Sequence, residues 1–249
     1  MKLRYIPLIE GDGAYQMALD ETIMRALIDG KGENTFRLYK FKPSCVSIGY
    51  FQSAEQEIDL KRCEEYRVEC VRRITGGGAV FHDYTGEITY SVILREEDFR
   101  YSIEESYRVI CSCLVKTLEY FGVKGSFSPI NDVLAEGKKI SGSAQTRKKG
   151  VILQHGTFMY STDLKTLFSV LKISDEKLRD KMLKKAEERV VTLEKLLGTE
   201  IDDKEVTKAL ESGFSSLFDL ERGEINEYEK ELLPELRKKY KSKDWLFMR

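Results

Sequence analysis

The sequence predicts an α/β fold, and three observations carry that expectation. Segments rich in β-branched and aromatic residues alternate with helix-patterned stretches as far as residue 160. From about residue 163 the pattern is helical, with no Pro/Gly/Ser-rich linker at the change, so residues 1–249 are expected to form one domain. With 249 residues, 41% of them hydrophobic, the chain can bury a full core.

Leu3 to Ile9 alternates loosely and reads as a first strand. Asp12 then stands at a helix N-cap, and Ala14, Met17, Ala18, Ile23, Ala26 and Leu27 recur at near-helical spacing up to Gly30. Thr35–Tyr39 and Cys45–Ile48 are two strands joined around Pro43, the second ending at Gly49 with Tyr50 and Phe51 at its exit. Ile58–Tyr66 reads as a short polar helix, and Val68–Val71 as a strand that delivers the chain into a glycine loop. Ala79–His82 and Ile88–Leu94 are expected to pair as a hairpin across Asp83 to Glu87. Ile103–Phe121 is the longest amphipathic helix of the first half, closed by Gly122. A second hairpin is expected between Asn131–Ala135 and Lys139–Ala144, then a strand over Val151–Tyr160. Further helices are expected near 163–170, 175–187, 203–218 and 225–241.

Charged residues make up 33% of the chain, yet the net charge is −1, which gives no electrostatic footprint for nucleic acid or an anionic membrane. The N-terminus lacks the apolar run of a signal peptide, and no stretch approaches 18 uninterrupted apolar residues, so a cytoplasmic protein is expected. The five cysteines are odd in number and scattered, the pattern of reduced core thiols rather than of a disulfide framework or a zinc site.

The stretch Arg72-Arg73-Ile74-Thr75-Gly76-Gly77-Gly78-Ala79-Val80-Phe81-His82-Asp83 organises the rest. Three glycines clear side chains from the approach to the backbone and permit positive φ, so that consecutive N–H groups can turn toward one anion. Two arginines add fixed positive charge. The spacing is neither that of a dinucleotide fingerprint nor that of a P-loop, and a plain flexible loop would read the same way. The chain has only two histidines, His82 and His155, and both lie in glycine-containing motifs. A lone histidine is ordinarily a hydrogen-bonded structural residue; this shared placement points toward a site. Lys138 and Lys139 begin a strand and so face opposite ways, which lets one of them face a cleft. The small residues Ser141-Gly142-Ser143-Ala144 that follow let a ligand lie against the backbone.

Arg72-Arg73-x-x-Gly-Gly-Gly-Ala-Val-Phe-His-Asp, Asn131-Asp132, Lys139-x-Ser-Gly-Ser-Ala and His155-Gly156-Thr157, in that order across residues 72–157, resemble the lipoate–protein ligase A family of the biotin/lipoyl ligase superfamily. The similarity continues weakly to Trp245. The resemblance implies a mixed, mostly antiparallel sheet with flanking helices and a two-step reaction. ATP activates the lipoate carboxylate as lipoyl-AMP, and a carrier-domain lysine then attacks that mixed anhydride. By the same resemblance Lys139 is the catalytic residue, holding the α-phosphate and the carboxylate oxygen together. Arg73, Gly77, Gly78, Ala79, Val80 and Phe81, with Lys139, would bind ATP and the adenylate. Gly77, His82, Lys139, His155 and Gly156 would bind lipoate, and Asp132 would hold Mg²⁺. Ile48, Val80 and Val133 are candidates for the pocket of the dithiolane tail. The implied partners are an apo lipoyl domain, from a 2-oxoacid dehydrogenase E2 or the glycine cleavage H protein, and a separate small accessory subunit. The latter follows the archaeal arrangement, because the chain stops just after Trp245-Leu246-Phe247, where bacterial ligases of the family continue into an accessory domain.

Octanoyl- and lipoyl-transferases of the same fold use a cysteine shortly upstream of the lysine motif. Val123 to Asp132 contains none and none follows Cys113, so an octanoyltransferase is the second reading. A non-catalytic carrier-binding homologue is the third, and Lys139 with the full glycine loop speaks against it. The absence of a Gly-Arg-Gly-Arg-type loop disfavours biotin ligation.

Overall fold

The structure is a computed structural model and describes residues 1–172 and 176–249. Strand β1 (Lys2–Gly11) leads into helix α1 (Gly13–Ile28), whose N-cap Asp12 accepts from the Tyr15 N–H at 2.6 Å. Strands β2 (Thr35–Phe41) and β3 (Cys45–Ile48) follow as expected. Two short helices, α2 (Ala54–Glu57) and α3 (Leu60–Glu65), replace the single helix expected over 58–66. Ile58 separates them because it is extended and bridges to Leu171. Next come β4 (Glu69–Arg72), β5 (Val80–His82), β6 (Glu87–Arg95) and α4 (Ile103–Tyr120). Helix α4 opens with a reciprocal Ser102/Glu105 capping box and closes before Gly122, at φ 69°. Strands β7 (Gly125–Ser128), β8 (Asp132–Ala135), β9 (Lys138–Lys148) and β10 (Val151–Met159) complete the strand-rich part. Helices α5 (Leu164–Val170), α6 (Glu176–Arg189), α7 (Leu193–Leu197) and α8 (Asp203–Ser215), strand β11 (Asp219–Arg222), and helices α9 (Glu227–Lys241) and α10 (Lys243–Leu246) follow. Residue 175, where one helix was expected to begin, lies outside the described residues.

The main sheet has eight strands in the order β11-β1-β2-β6-β10-β9-β8-β7. Strand β1 is parallel to both its neighbours and every other pairing is antiparallel, so the sheet is mixed and mostly antiparallel. A second sheet of three strands, β4-β3-β5, stands apart from it. The hairpin expected between 79–82 and 88–94 does not form. Strand β5 pairs with β3 in the small sheet, and β6 pairs with β2 and β10 in the large one. The intervening turn crosses from one sheet to the other, held by the Asp83 carboxylate, which accepts from the N–H groups of Thr85 at 2.9 Å and Asp163 at 2.8 Å. Turn residues mark where a strand ends without saying which strand comes next to it. The second expected hairpin, β8 with β9, is present.

Both faces of the large sheet are covered, which is why β6 and β10 are buried along nearly their whole length. Phe36, Leu38, Tyr90, Val92, Ile152 and Phe158 pack against Ile110, Leu114 and Leu118 of α4 and Leu210 and Phe214 of α8. On the other face, Ile6, Ile93, Val151 and Leu153 meet Leu19, Ile23 and Leu27 of α1. Each such side chain contributes about 1.5–3 kcal/mol on full burial. Helix α9 is tied to β1 by a bidentate pair of Arg4 with the fully buried Glu229, at 2.6 and 2.7 Å. No helix among the described residues is long and apolar enough to cross a membrane.

Candidate active site

A cleft of about 350 Å³ opens between the small sheet and the α1-covered face of the large one. Its volume is that of a small-molecule site. Ser47, Arg73 and the segment Gly77–His82 come from the small-sheet side. Tyr39, Glu87, Lys139, Gly142, His155 and Gly156 face them from the large sheet.

The glycine loop is shaped by Arg73, which is 4% exposed. Its Nη2 donates to Gly76 O and Gly78 O, both at 2.8 Å, its Nη1 to Ser47 O at 2.9 Å and Ser47 Oγ at 3.2 Å, and its Nε to Thr75 Oγ1 at 3.1 Å. None of these partners is a carboxylate. Among the described residues this buried cation has no counter-anion, and burial pushes its pKa down to about 10. With the carbonyls of Gly76 and Gly78 turned back to the guanidinium, the N–H groups of Gly76, Gly77, Gly78 and Ala79 have no acceptor among the described residues. Gly77 takes φ 95°, which a side chain would strain. Gly49 lies directly beneath, where a Cβ would overlap Gly77 O. The result is a row of free donors beside an uncompensated positive charge, the arrangement that receives an anion.

Both histidines are buried. His155 Nδ1 lies 3.0 Å from Asp20 Oδ2 and its Nε2 2.8 Å from Thr75 Oγ1. His82 Nδ1 lies 2.7 Å from Glu87 Oε1 and its Nε2 2.8 Å from Ser47 Oγ. Burial holds the His155 pKa below the ordinary value of 6.5, against the opposing pull of Asp20. The sign of the linkage follows: below pH 6.5 the unfolded chain takes a proton at His155 that the folded chain refuses. Stability from this group is therefore complete above that pH and falls as pH drops below it, by up to about 1.4 kcal/mol per pH unit. Thermal unfolding between neutral and mildly acid pH should show a steeper loss for the wild type than for His155→Gln. Equal slopes would exclude the assignment.

Lys139 faces the cleft, its Nζ 2.7 Å from Asp132 Oδ1 in a half-exposed pair. The ammonium lies over Gly142, where a Cβ would sit 2.9 Å from Nζ. Gly156 is equally constrained, its hypothetical Cβ 2.6 Å from Ser143 Oγ. Of the residues expected from sequence, Arg73, Gly77, Gly78, Ala79, Val80, Phe81, His82, Lys139, His155 and Gly156 all line this one cleft. Ile48 and Val133 do not: each is fully buried in an apolar cluster because it points away from the cleft on its strand. Asp132 is not in the wall either and is engaged by Lys139. Among the described residues no group of three or more His, Cys, Asp or Glu side chains is arranged to hold a metal.

Sequence reasoning missed Ser47, Thr75, Asp20 and Glu87, which partner the histidines and Arg73. Their signal is faint: single polar residues in otherwise apolar segments, such as Ser47 within Cys-Val-Ser-Ile. Arg72 plays a different part from its neighbour. Its Nη1 donates to the carbonyls of Gly49, Tyr50 and Gln52, and its Nε and Nη2 to those of Trp245 and Leu246. The Trp245 indole N–H returns a bond to Arg72 O at 2.9 Å. No cysteine lines the cleft. Cys111 Sγ approaches Ser143 Oγ at 3.6 Å from behind the wall, and burial pushes its thiol up to about 11.

A glycine loop with open amides facing a strand lysine across a cleft in a mixed sheet makes a site for a small anionic ligand. The family model of the lipoyl protein ligase A/B catalytic domain matches residues 12–215, and the chain belongs to that family. It is 37% identical over 257 residues to octanoyltransferase LipM of Clostridioides difficile, covering 94% of each chain. A second octanoyltransferase LipM, from Moorella thermoacetica, is 36% identical, with 92% of each covered. Among solved structures, the bipartite lipoate protein ligase of Thermoplasma acidophilum, studied with its E2 lipoyl domain, superposes with a TM-score of 0.89 at 35% identity, over 99% of this chain and 96% of that one. A lipoate–protein ligase A bound with ATP gives 0.84 at 30% identity, over 99% of each. The fold and the family implied by the motifs are thus the observed ones. The activity ranked second in the sequence is the one that the curated relatives carry by name.

Proposed function

We propose that the chain attaches a lipoyl or octanoyl group to a lysine of a lipoyl carrier domain, by way of an acyl-adenylate made from ATP. The observation that supports the ATP-dependent route is the glycine loop, whose N–H groups, among the described residues, lack acceptors and lie beside a buried guanidinium that lacks a counter-anion. Phosphate oxygens would take the amides of Gly77, Gly78 and Ala79. Lys139 would bridge the α-phosphate and the substrate carboxylate. The carboxylate oxygen attacks the α-phosphorus and pyrophosphate leaves; the carrier amine then attacks the acyl carbon and AMP leaves with the electron pair. Charge gathers near Lys139 in both steps, and fixed donors that need no reorganisation lower both barriers. Magnesium would arrive on the phosphates with its own waters; Asp132 is the nearby carboxylate that could take it, on giving up its pair with Lys139. The likeness to a bipartite ligase supports a small second subunit and an E2-type or H-type carrier as partners.

The relatives named octanoyltransferase favour a second reading, transfer of octanoate from an acyl carrier without ATP. The thiol such a route would acylate is missing from the cleft. One experiment separates the two. Apo carrier domain is incubated with the chain and either ATP plus octanoate or lipoate, or octanoyl-acyl carrier alone, and then weighed. The ligase reading expects a mass gain only with ATP, and full chemistry after all five cysteines are replaced by serine. A gain from the acyl carrier alone, with an acyl-thioester trapped on the chain, would establish the transferase instead.

A further inference from the structure

The hydroxyls of Ser47 and Thr75 each accept an N–H from Arg73 and each lie 2.8 Å from an imidazole Nε2. A hydroxyl has one hydrogen. Each oxygen could accept twice, but among the described residues neither hydroxyl has another acceptor for its hydrogen, so that hydrogen goes to Nε2, which accepts it unprotonated. The proton of each ring therefore sits on Nδ1, directed at a carboxylate, Glu87 for His82 and Asp20 for His155. Two relays of the same order, carboxylate to imidazole to hydroxyl, thus converge on one guanidinium, one at Nη1 and one at Nε. They leave no ring nitrogen of either histidine free for a ligand.

We propose that Ser47, Thr75, His82 and His155 are positioning residues that act on the ligand through Arg73. The relays fix the guanidinium, and the guanidinium holds the carbonyls of Gly76 and Gly78 away from the cleft, so that the loop amides face an anionic acyl-phosphate. The assignment rests on the nucleotide reading of the cleft, and it removes His82 and His155 from the set of direct acyl contacts.

The test compares Thr75→Val, which deletes the hydroxyl at nearly constant volume, with Thr75→Ser, which keeps it. Binding of a non-hydrolysable acyl-sulfamoyl adenosine and of MgATP is measured by calorimetry. Thr75→Val is expected to weaken the analogue at least about tenfold, the loss that one hydrogen bond to a charged group carries, and Thr75→Ser to stay within about threefold of wild type. A folded Thr75→Val that binds like wild type, or equal weakening by both variants, overturns the proposal. Nitrogen-15 NMR of the ligand-free wild type supplies a measurement that needs no variant to fold. Both rings are expected to carry their proton on Nδ1 and none on Nε2, and an Nε2–H on either ring overturns the relays. Failure of the nucleotide reading looks different: wild type binds neither the analogue nor MgATP, while the tautomers stand as assigned.

Discussion

Lys139→Ala should fold and should lose carrier acylation by about 10²- to 10³-fold, the usual cost of removing one preorganised electrostatic stabiliser. The half-exposed pair with Asp132 contributes at most about 1 kcal/mol to stability, so the melting temperature should barely move. The loss in rate has two sources that act in the same direction. The ammonium that would neutralise phosphate and carboxylate together is gone, and Asp132 loses the partner that balances its charge beside the cleft. Both pyrophosphate release and consumption of preformed acyl-adenylate should fall, because the same charge serves both steps. Wild-type rates in the variant would remove Lys139 from the chemistry.

Gly49→Ala attacks the loop from below and should be nearly as damaging to ligand binding. The added methyl would overlap Gly77 O and lie 3.1 Å from the carbonyl carbons of Gly76 and Gly77. Backbone cannot swing aside as a flexible side chain does, so the loop must shift bodily and its amides lose their common direction. A displacement near 1 Å at such a site can cost about a hundredfold. Overpacking of this kind costs about 1–3 kcal/mol of stability. Calorimetry with the acyl-sulfamoyl adenosine, alongside thermal unfolding, separates these effects. Affinity within about threefold of wild type would show that the loop does not depend on this contact.

Much of this architecture could be read from the residues alone, and the failures have physical causes. Asp12 and Gly122 mark helix ends through local hydrogen bonding and backbone conformation, so those boundaries were legible. The partner of β5 was not, because pairing is decided by the whole fold and not by the turn that follows the strand. Strand β11, Asp-Leu-Glu-Arg, is a short, largely exposed edge with no apolar alternation to reveal it. At the cleft, motif residues were visible because glycine and lysine are unusual in such positions. The groups that orient them, Asp20 and Glu87, lie on other elements and carry no local mark. Arg73 was expected to meet the nucleotide itself; its donors are taken up by the loop it supports and by Ser47 of β3.

The bonds from Arg72 to Trp245 and Leu246 join residues 173 and 174 positions apart. On a growing chain, Nε and Nη2 of that arginine have no partners until the final helical turn has been made, on the order of 10–30 s later at ordinary rates of synthesis. A guanidinium left unpaired in the interior is strongly disfavoured, so the segment Gly49–Gln52 and the loop packed on it cannot settle before then. The order of the glycine loop thus depends on a contact that closes only when two segments 173 positions apart have both been made and brought together.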